Sequence, residues 1–143
     1  MKHDMFFLRQ LAPLSDLSLF ALRILTGAFL IWEMWFNISN AETMKLVVSY
    51  FADNGFYYPA FFAPLSAWAQ FSIGIALVIG FLTRWAGLLL AFNFVVGVAM
   101  VHWNESFREW WPAVILVALG LHFAAAGGGR FALDAALTRT DSA

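Results

Sequence analysis

The chain has 143 residues, 62% of them hydrophobic and 12% charged, with a net charge of -1 and no cysteine; its mean hydropathy is +0.76. Soluble domains carry about 25% charged residues, so this composition excludes an ordinary water-soluble domain and makes lipid the solvent for much of the surface. The missing cysteines exclude disulfides, thiol redox chemistry, c-type haem attachment and cysteine-ligated iron–sulfur clusters, and the charge gives no footprint for nucleic acid.

In chain order, the first apolar stretch runs from about Leu17 to Ile38. It follows Pro13, carries Arg23, and ends in Trp35-Phe36-Asn37 without a small-residue cleavage site. It is therefore expected to be a retained transmembrane helix and not a removable signal. Ser39-Asn40-Ala41-Glu42 then has the spacing of a capping box. Met44, Val47, Val48 and Phe51 follow at helical spacing, and Asn54-Gly55 supplies a stop. The pattern predicts a short amphipathic helix in the first loop, its apolar face resting on the bundle or on the outer leaflet.

Pro59 opens the second span, which reaches Leu82; the third runs from Trp85 to about Val101 and the fourth from Trp111 to Ala126. Continuous apolar runs without alternation predict helices and not barrel strands. The whole is one domain, an all-α integral membrane four-helix bundle. Thr83-Arg84 leaves almost no loop, so the second and third spans are expected to form an antiparallel hairpin. Lys2, Arg9, Arg84, Arg130 and Arg139 fall on one side, against Lys45 and Arg108 on the other. The positive-inside rule then places both termini in the cytoplasm.

Ionisable groups within a membrane are expensive and draw attention first. Arg23 and Glu33 share the first span, roughly 15 Å apart along its axis, too far to pair. Arg23 either snorkels to the inner headgroups or faces the bundle and binds carbonyls or a polar side chain. Glu33 is either an interfacial carboxylate or a proton-accepting, quinone-contacting group. Gln70 and Asn93 are neutral polar groups at mid-membrane, where interhelical hydrogen bonding is the default. Gly74, Gly80, Gly87 and Gly97 are positions for close helix approach. Arg84 is expected to anchor the turn at the headgroups and to cap the carbonyls that end the second helix.

Trp32, Trp35, Trp103, Trp110 and Trp111 crowd the outer level. They read either as an aromatic interface belt or, in part, as a slot for a flat ring such as a quinone. In the second reading Glu33 and His102 supply the hydrogen bonds, provided the first and third helices adjoin. His102 and His122 lie roughly 16 Å apart in depth, so they do not form a bis-histidine haem site, and no second ligand recurs near either for a metal. Gly127-Gly128-Gly129 reads as a helix stop and not as a phosphate loop.

Leu22-Arg23-Ile24-Leu25-Thr26-Gly27, Gly80-Phe81-Leu82-Thr83-Arg84, Val101-His102 and Gly129-Arg130-Phe131-Ala132-Leu133-Asp134, in that order, resemble the DoxX family of small four-helix bacterial membrane proteins. The resemblance runs from about Leu22 to Leu137. It implies residence in the cytoplasmic (inner) membrane, with other membrane subunits or further copies of the chain as partners beside the lipid. Some relatives are subunits of thiosulfate:quinone oxidoreductases or of other membrane redox assemblies. The chain departs from the family pattern at Gln70, where many relatives carry glutamate, at Ile73-Gly74, where a Gly-Gly pair is common, and at Gly127-Gly128-Gly129, in place of Gly-Pro-Gly. Without that glutamate, proton-coupled chemistry inside this chain is disfavoured. Four functions follow for comparison: an accessory or anchor subunit of a quinone-linked redox complex, a self-contained quinone-reactive enzyme, a purely structural subunit, and a transporter. The lack of any residue set that carries electrons favours the subunit readings.

Overall fold

The computed structural model describes residues 9–102 and 106–140, without the side chains of 9, 10, 12, 102 and 140. A 3-10 turn, Arg9–Leu14, leads into α1, Ser15–Ser39. Asn40 alone separates α1 from α2, Ala41–Asp53. Its side chain accepts the Glu42 backbone N–H at 2.9 Å, while Thr43 Oγ1 donates back to Phe36 O at 2.7 Å. The cap therefore sits one residue later than the Ser39–Glu42 spacing predicts. Asparagine is as good an N-cap as serine, and Glu42, freed from a capping role, pairs with Lys45 at 2.8 Å. Met44, Val47, Val48 and Phe51 of α2 are only half-buried, and α2 lies against α3 and the end of α1.

Helix α3, Pro59–Ile79, has proline in its first turn and stops at Gly80, whose φ of 77° is the left-handed geometry glycine tolerates. Leu82 also takes a positive φ, and α4 follows at once, Thr83–Gly97. The chain continues from α4 as one π turn, Val98–His102. Helix α5 spans Phe107–Ala126 and begins four residues before Trp111. The cause is a capping box that the aromatic pattern conceals: the Ser106 backbone N–H donates to the Glu109 carboxylate at 2.9 Å. A short helix α6, Leu133–Thr140, closes the described chain. Four helices, counting α4 with its π turn, are long and apolar enough to cross a membrane. The start of α1, the α3–α4 turn and α6 share one end of the bundle, called here the turn end; the other is the far end.

The four spans pack as two close pairs, α1 with α3 and α4 with α5. The α3–α4 hairpin joins the pairs but is the looser contact. Lipid tails are as apolar as leucine, so helix association in a bilayer comes from close packing and not from hydrophobic transfer. Glycine permits the closeness. A Cβ on Gly27 would stand 2.6 Å from Gly74 O, and one on Gly74 would stand 2.8 Å from Gly27 O. Gly87 and Gly120 repeat the arrangement at 2.5 and 2.7 Å across α4 and α5. The core of Leu19, Leu30, Ile73, Leu77, Ala86, Leu90 and Phe123 fills the bundle from the turn end to about its midpoint. Beyond that, the buried hydrophobics among the described residues are Ala63, Ala67 and Ala113. The large buried side chains thus gather in the turn-end half, whereas the far half buries small ones.

Candidate functional site

Polar groups gather at two levels. At the turn end, Arg23 points inward from α1 and is fully buried. Its guanidinium donates to Gly128 O at 2.6 Å and Phe131 O at 3.0 Å, and it lies 5.5 Å from the Phe20 ring centroid. Asp134 closes the same knot from the other direction. Its carboxylate accepts the backbone N–H groups of Leu82 (2.8 Å) and Thr83 (2.9 Å), and its own N–H donates to Gly80 O at 2.9 Å. The first N–H groups of α4 have no intrahelical acceptor, so an anion there is favoured by both hydrogen bonding and the helix dipole. Gly80 and Gly128 leave room for this: a Cβ on Gly80 would stand 2.6 Å from Arg23 Nη1 and 2.7 Å from Ala132.

Arg84 caps a different helix from the one its sequence position suggests. Its Nη1 donates to Ala124 O at 2.8 Å and Ala125 O at 2.6 Å, the carbonyls that end α5 and not α3. Side chains on a helix lean toward its N-terminus, and α4 packs against α5, so from the first turn of α4 the guanidinium reaches the last turn of α5. An open cleft of about 500 Å³, lined by Phe81, Thr83, Arg84, Trp85, Gly128 and Asp134, lies beside this knot. The Arg23, Gly80–Arg84 and Gly129–Asp134 segments, far apart in sequence, thus meet in one tie between all four spans. Arg23, Arg84 and Asp134 all bond to backbone groups here, while Arg23 Nε and Thr83 Oγ1 are buried without a hydrogen-bond partner.

At mid-membrane a hydrogen-bonded chain bridges α3 and α4. Gln70 Nε2 donates to Ser66 Oγ at 3.1 Å, and Ser66 Oγ donates to Asn93 Oδ1 at 2.9 Å. Gln70 and Asn93 are legible in the sequence as mid-membrane polar residues; Ser66, which joins them, has as its one sequence signal its place four residues before Gln70 on the same face. Among the described residues the Asn93 side-chain N–H groups have no partner.

Among the described residues the aromatic rings toward the far end fall into two groups, Trp35 and Trp68 about Phe71, and Trp110 and Trp111 about Phe107. Trp32 and Trp35 are 64% and 54% exposed, and Glu33 is exposed beside them. Trp35 lies 6.1 Å from the Phe71 ring, and Trp111 lies 5.1 Å from the Phe107 ring. Glu33 lies on α1, whose close partner is α3 and not α4. The His102 side chain and Trp103 lie outside the described residues. His122 is exposed on α5. Among the described residues no three His, Cys, Asp or Glu side chains are grouped to hold a metal.

A family model described as DoxX matches residues 18–103, from α1 through the end of the π turn. No curated protein and no solved structure matches the chain.

Proposed function

The chain belongs to the DoxX family, and from that premise we propose that it is an accessory or anchor subunit of a quinone-linked redox complex, set in the bacterial cytoplasmic membrane with the turn end and both termini inside. The observation that carries this reading is a bundle tied at one end with its helix faces left uncovered. Arg23, Arg84 and Asp134 hold the turn end, while large apolar side chains on all four spans, among them Leu25, Trp68, Phe92 and Leu121, are exposed to lipid or a neighbouring subunit. A self-sufficient enzyme would have to carry its own electron carrier. A chain with no cysteine cannot ligate an iron–sulfur cluster through thiolates, so the cofactor is assigned to a partner.

Deleting the chain from its host tests the reading. Electron transfer from the complex's substrate to quinone in isolated membranes is expected to fall, with restoration by the chain in trans. Unchanged quinone reduction overturns it. A purely structural subunit is the second reading, favoured by the exposed Leu46, Tyr50, Tyr57 and Tyr58 on and after α2, an aromatic surface suited to a neighbouring protein. In that case assembly of the neighbour fails while no quinone is held at this chain.

A further inference from the structure

We propose that the cleft at the turn end, between the start of α4 and Gly127-Gly128-Gly129, binds the phosphate headgroup of an anionic phospholipid, with Arg84 as its charge partner and Thr83 Oγ1 as a hydrogen-bond partner. The site does not depend on the redox reading above.

The Arg84 guanidinium is held in place before any ligand arrives, which lowers the entropy lost on binding. Its Nη1 donates to Ala124 O and Ala125 O. A Cβ on Gly127 would stand 3.4 Å from Cζ, Nε and Nη2 alike, so the guanidinium lies face-on to that glycine. A guanidinium has five N–H donors, and the two carbonyls engage Nη1 alone. Among the described residues Nε and Nη2 have no acceptor and Arg84 has no acidic partner. Nε and Nη2 form an edge of two parallel donors, the fork that meets a phosphate bidentately.

Thr83 gives an independent sign. It is fully buried, it lines the same cleft, and its Oγ1 has no hydrogen-bond partner. A buried hydroxyl left unpaired is costly, so a phosphate oxygen supplies what the chain does not, directly or through one water. The backbone N–H groups of Gly128 and Gly129, on the same wall, also have no acceptor among the described residues, and such turn donors favour an anion. Asp134 lines the cleft too, but its oxygens are taken by the Leu82 and Thr83 N–H groups, and the buried Arg23 of the same tie matches its charge. Arg84 is therefore the charge left uncompensated.

Placement decides the source of the phosphate. The cleft lies where the α4 span begins and the α5 span ends, the level of lipid headgroups. Its volume of about 500 Å³ suits a small headgroup. Phe81, Trp85 and Leu137, which border it, are exposed apolar surface along which acyl chains can lie. Basic pockets between spanning helices hold anionic headgroups on these terms.

The test is native mass spectrometry of the purified chain in detergent micelles, titrated with dioleoyl phosphatidylglycerol. Dioleoyl phosphatidylcholine is the comparison, with the same acyl chains and no net charge. One phosphatidylglycerol is expected to bind about tenfold more tightly than phosphatidylcholine. Arg84→Lys keeps the charge but lacks the planar edge, and should raise the half-saturating concentration about tenfold. Thr83→Val, of equal size, should raise it about threefold. Arg130→Gln removes an exposed cation at the same end and should leave binding unchanged. Equal affinity for the two lipids, or wild-type affinity in both Arg84→Lys and Thr83→Val, overturns the proposal. So does a loss in Arg130→Gln as large as that in Arg84→Lys, which would mean diffuse attraction to a basic surface. Displacement of the lipid by inorganic phosphate at equal concentration would assign the cleft to a soluble anion and overturn the lipid as its occupant.

Discussion

Removing the Asp134 carboxylate should loosen the bundle at its turn end by an amount the geometry sets. In Asp134→Ala two backbone N–H groups lose their acceptor, at 2.8 Å on Leu82 and 2.9 Å on Thr83. They are not equivalent. Leu82 is exposed and can bond to water or a headgroup, whereas Thr83 is fully buried and cannot. An unsatisfied buried donor costs about 1–3 kcal/mol, and loss of an N-terminal cap with its favourable dipole costs about 1 kcal/mol on overlapping grounds. The expected destabilisation is about 2–3 kcal/mol, most of it from Thr83. Asp134→Asn keeps one oxygen acceptor and should lose about half as much. Equilibrium unfolding in mixed micelles of dodecyl maltoside and dodecyl sulfate measures both. Glu42→Ala, which breaks only the exposed pair with Lys45, serves as the control with no measurable change. If Asp134→Ala unfolds within about 0.5 kcal/mol of the wild type, a difference typical of surface substitutions, the carboxylate does not hold the start of α4 and the tie described here is wrong.

Gly87→Ala should lower the yield of folded protein, because even one methyl group meets the Gly120 carbonyl at 2.5 Å; Gly97→Ala, with nothing within 4 Å, should leave yield unchanged, and fluorescence-detected size exclusion reads both. Arg84→Glu sets a carboxylate against the Ala124 and Ala125 carbonyls and should reduce abundance in the membrane several-fold by immunoblot, while Arg84→Lys should retain most of it. Reporter fusions after Ala143 and at Asp53 should give cytoplasmic and external signals respectively; an external C-terminus would reverse the proposed orientation.

The four spans were legible because lipid imposes a length and composition that few other structures share. Helix pairing was not. In a bilayer the residues facing lipid and those facing neighbours are both apolar, so hydrophobic periodicity stops reporting faces. Glycines report better, though unevenly. Gly74 and Gly87 do mark helix crossings, Gly80 turns the chain, and a Cβ on Gly97, expected to belong with them, would meet no described atom within 4 Å. Their counterparts Gly27 and Gly120 carry no local sequence sign of their role. Arg84 was legible as a helix-capping residue, but its target depends on which helix lies beside α4, a tertiary fact. Two boundaries differ from the sequence pattern for local reasons: Asn40 and not Ser39 is the cap, and the Ser106–Glu109 box starts α5 four residues before Trp111. At the far end, composition concentrates aromatic rings without saying whether they converge, and Trp32 and Trp35 on α1 and Trp111 on α5 are all exposed.

The central claim, that this chain serves a complex whose redox cofactor another subunit holds, is tested most directly by affinity purification of the tagged chain from its native membrane in mild detergent. Mass spectrometry of the eluate and its absorption spectrum are then read together. The account predicts a stoichiometric second subunit carrying a flavin, haem, iron–sulfur or molybdenum centre. Recovery of the chain alone, or with partners that carry no redox centre, would contradict it.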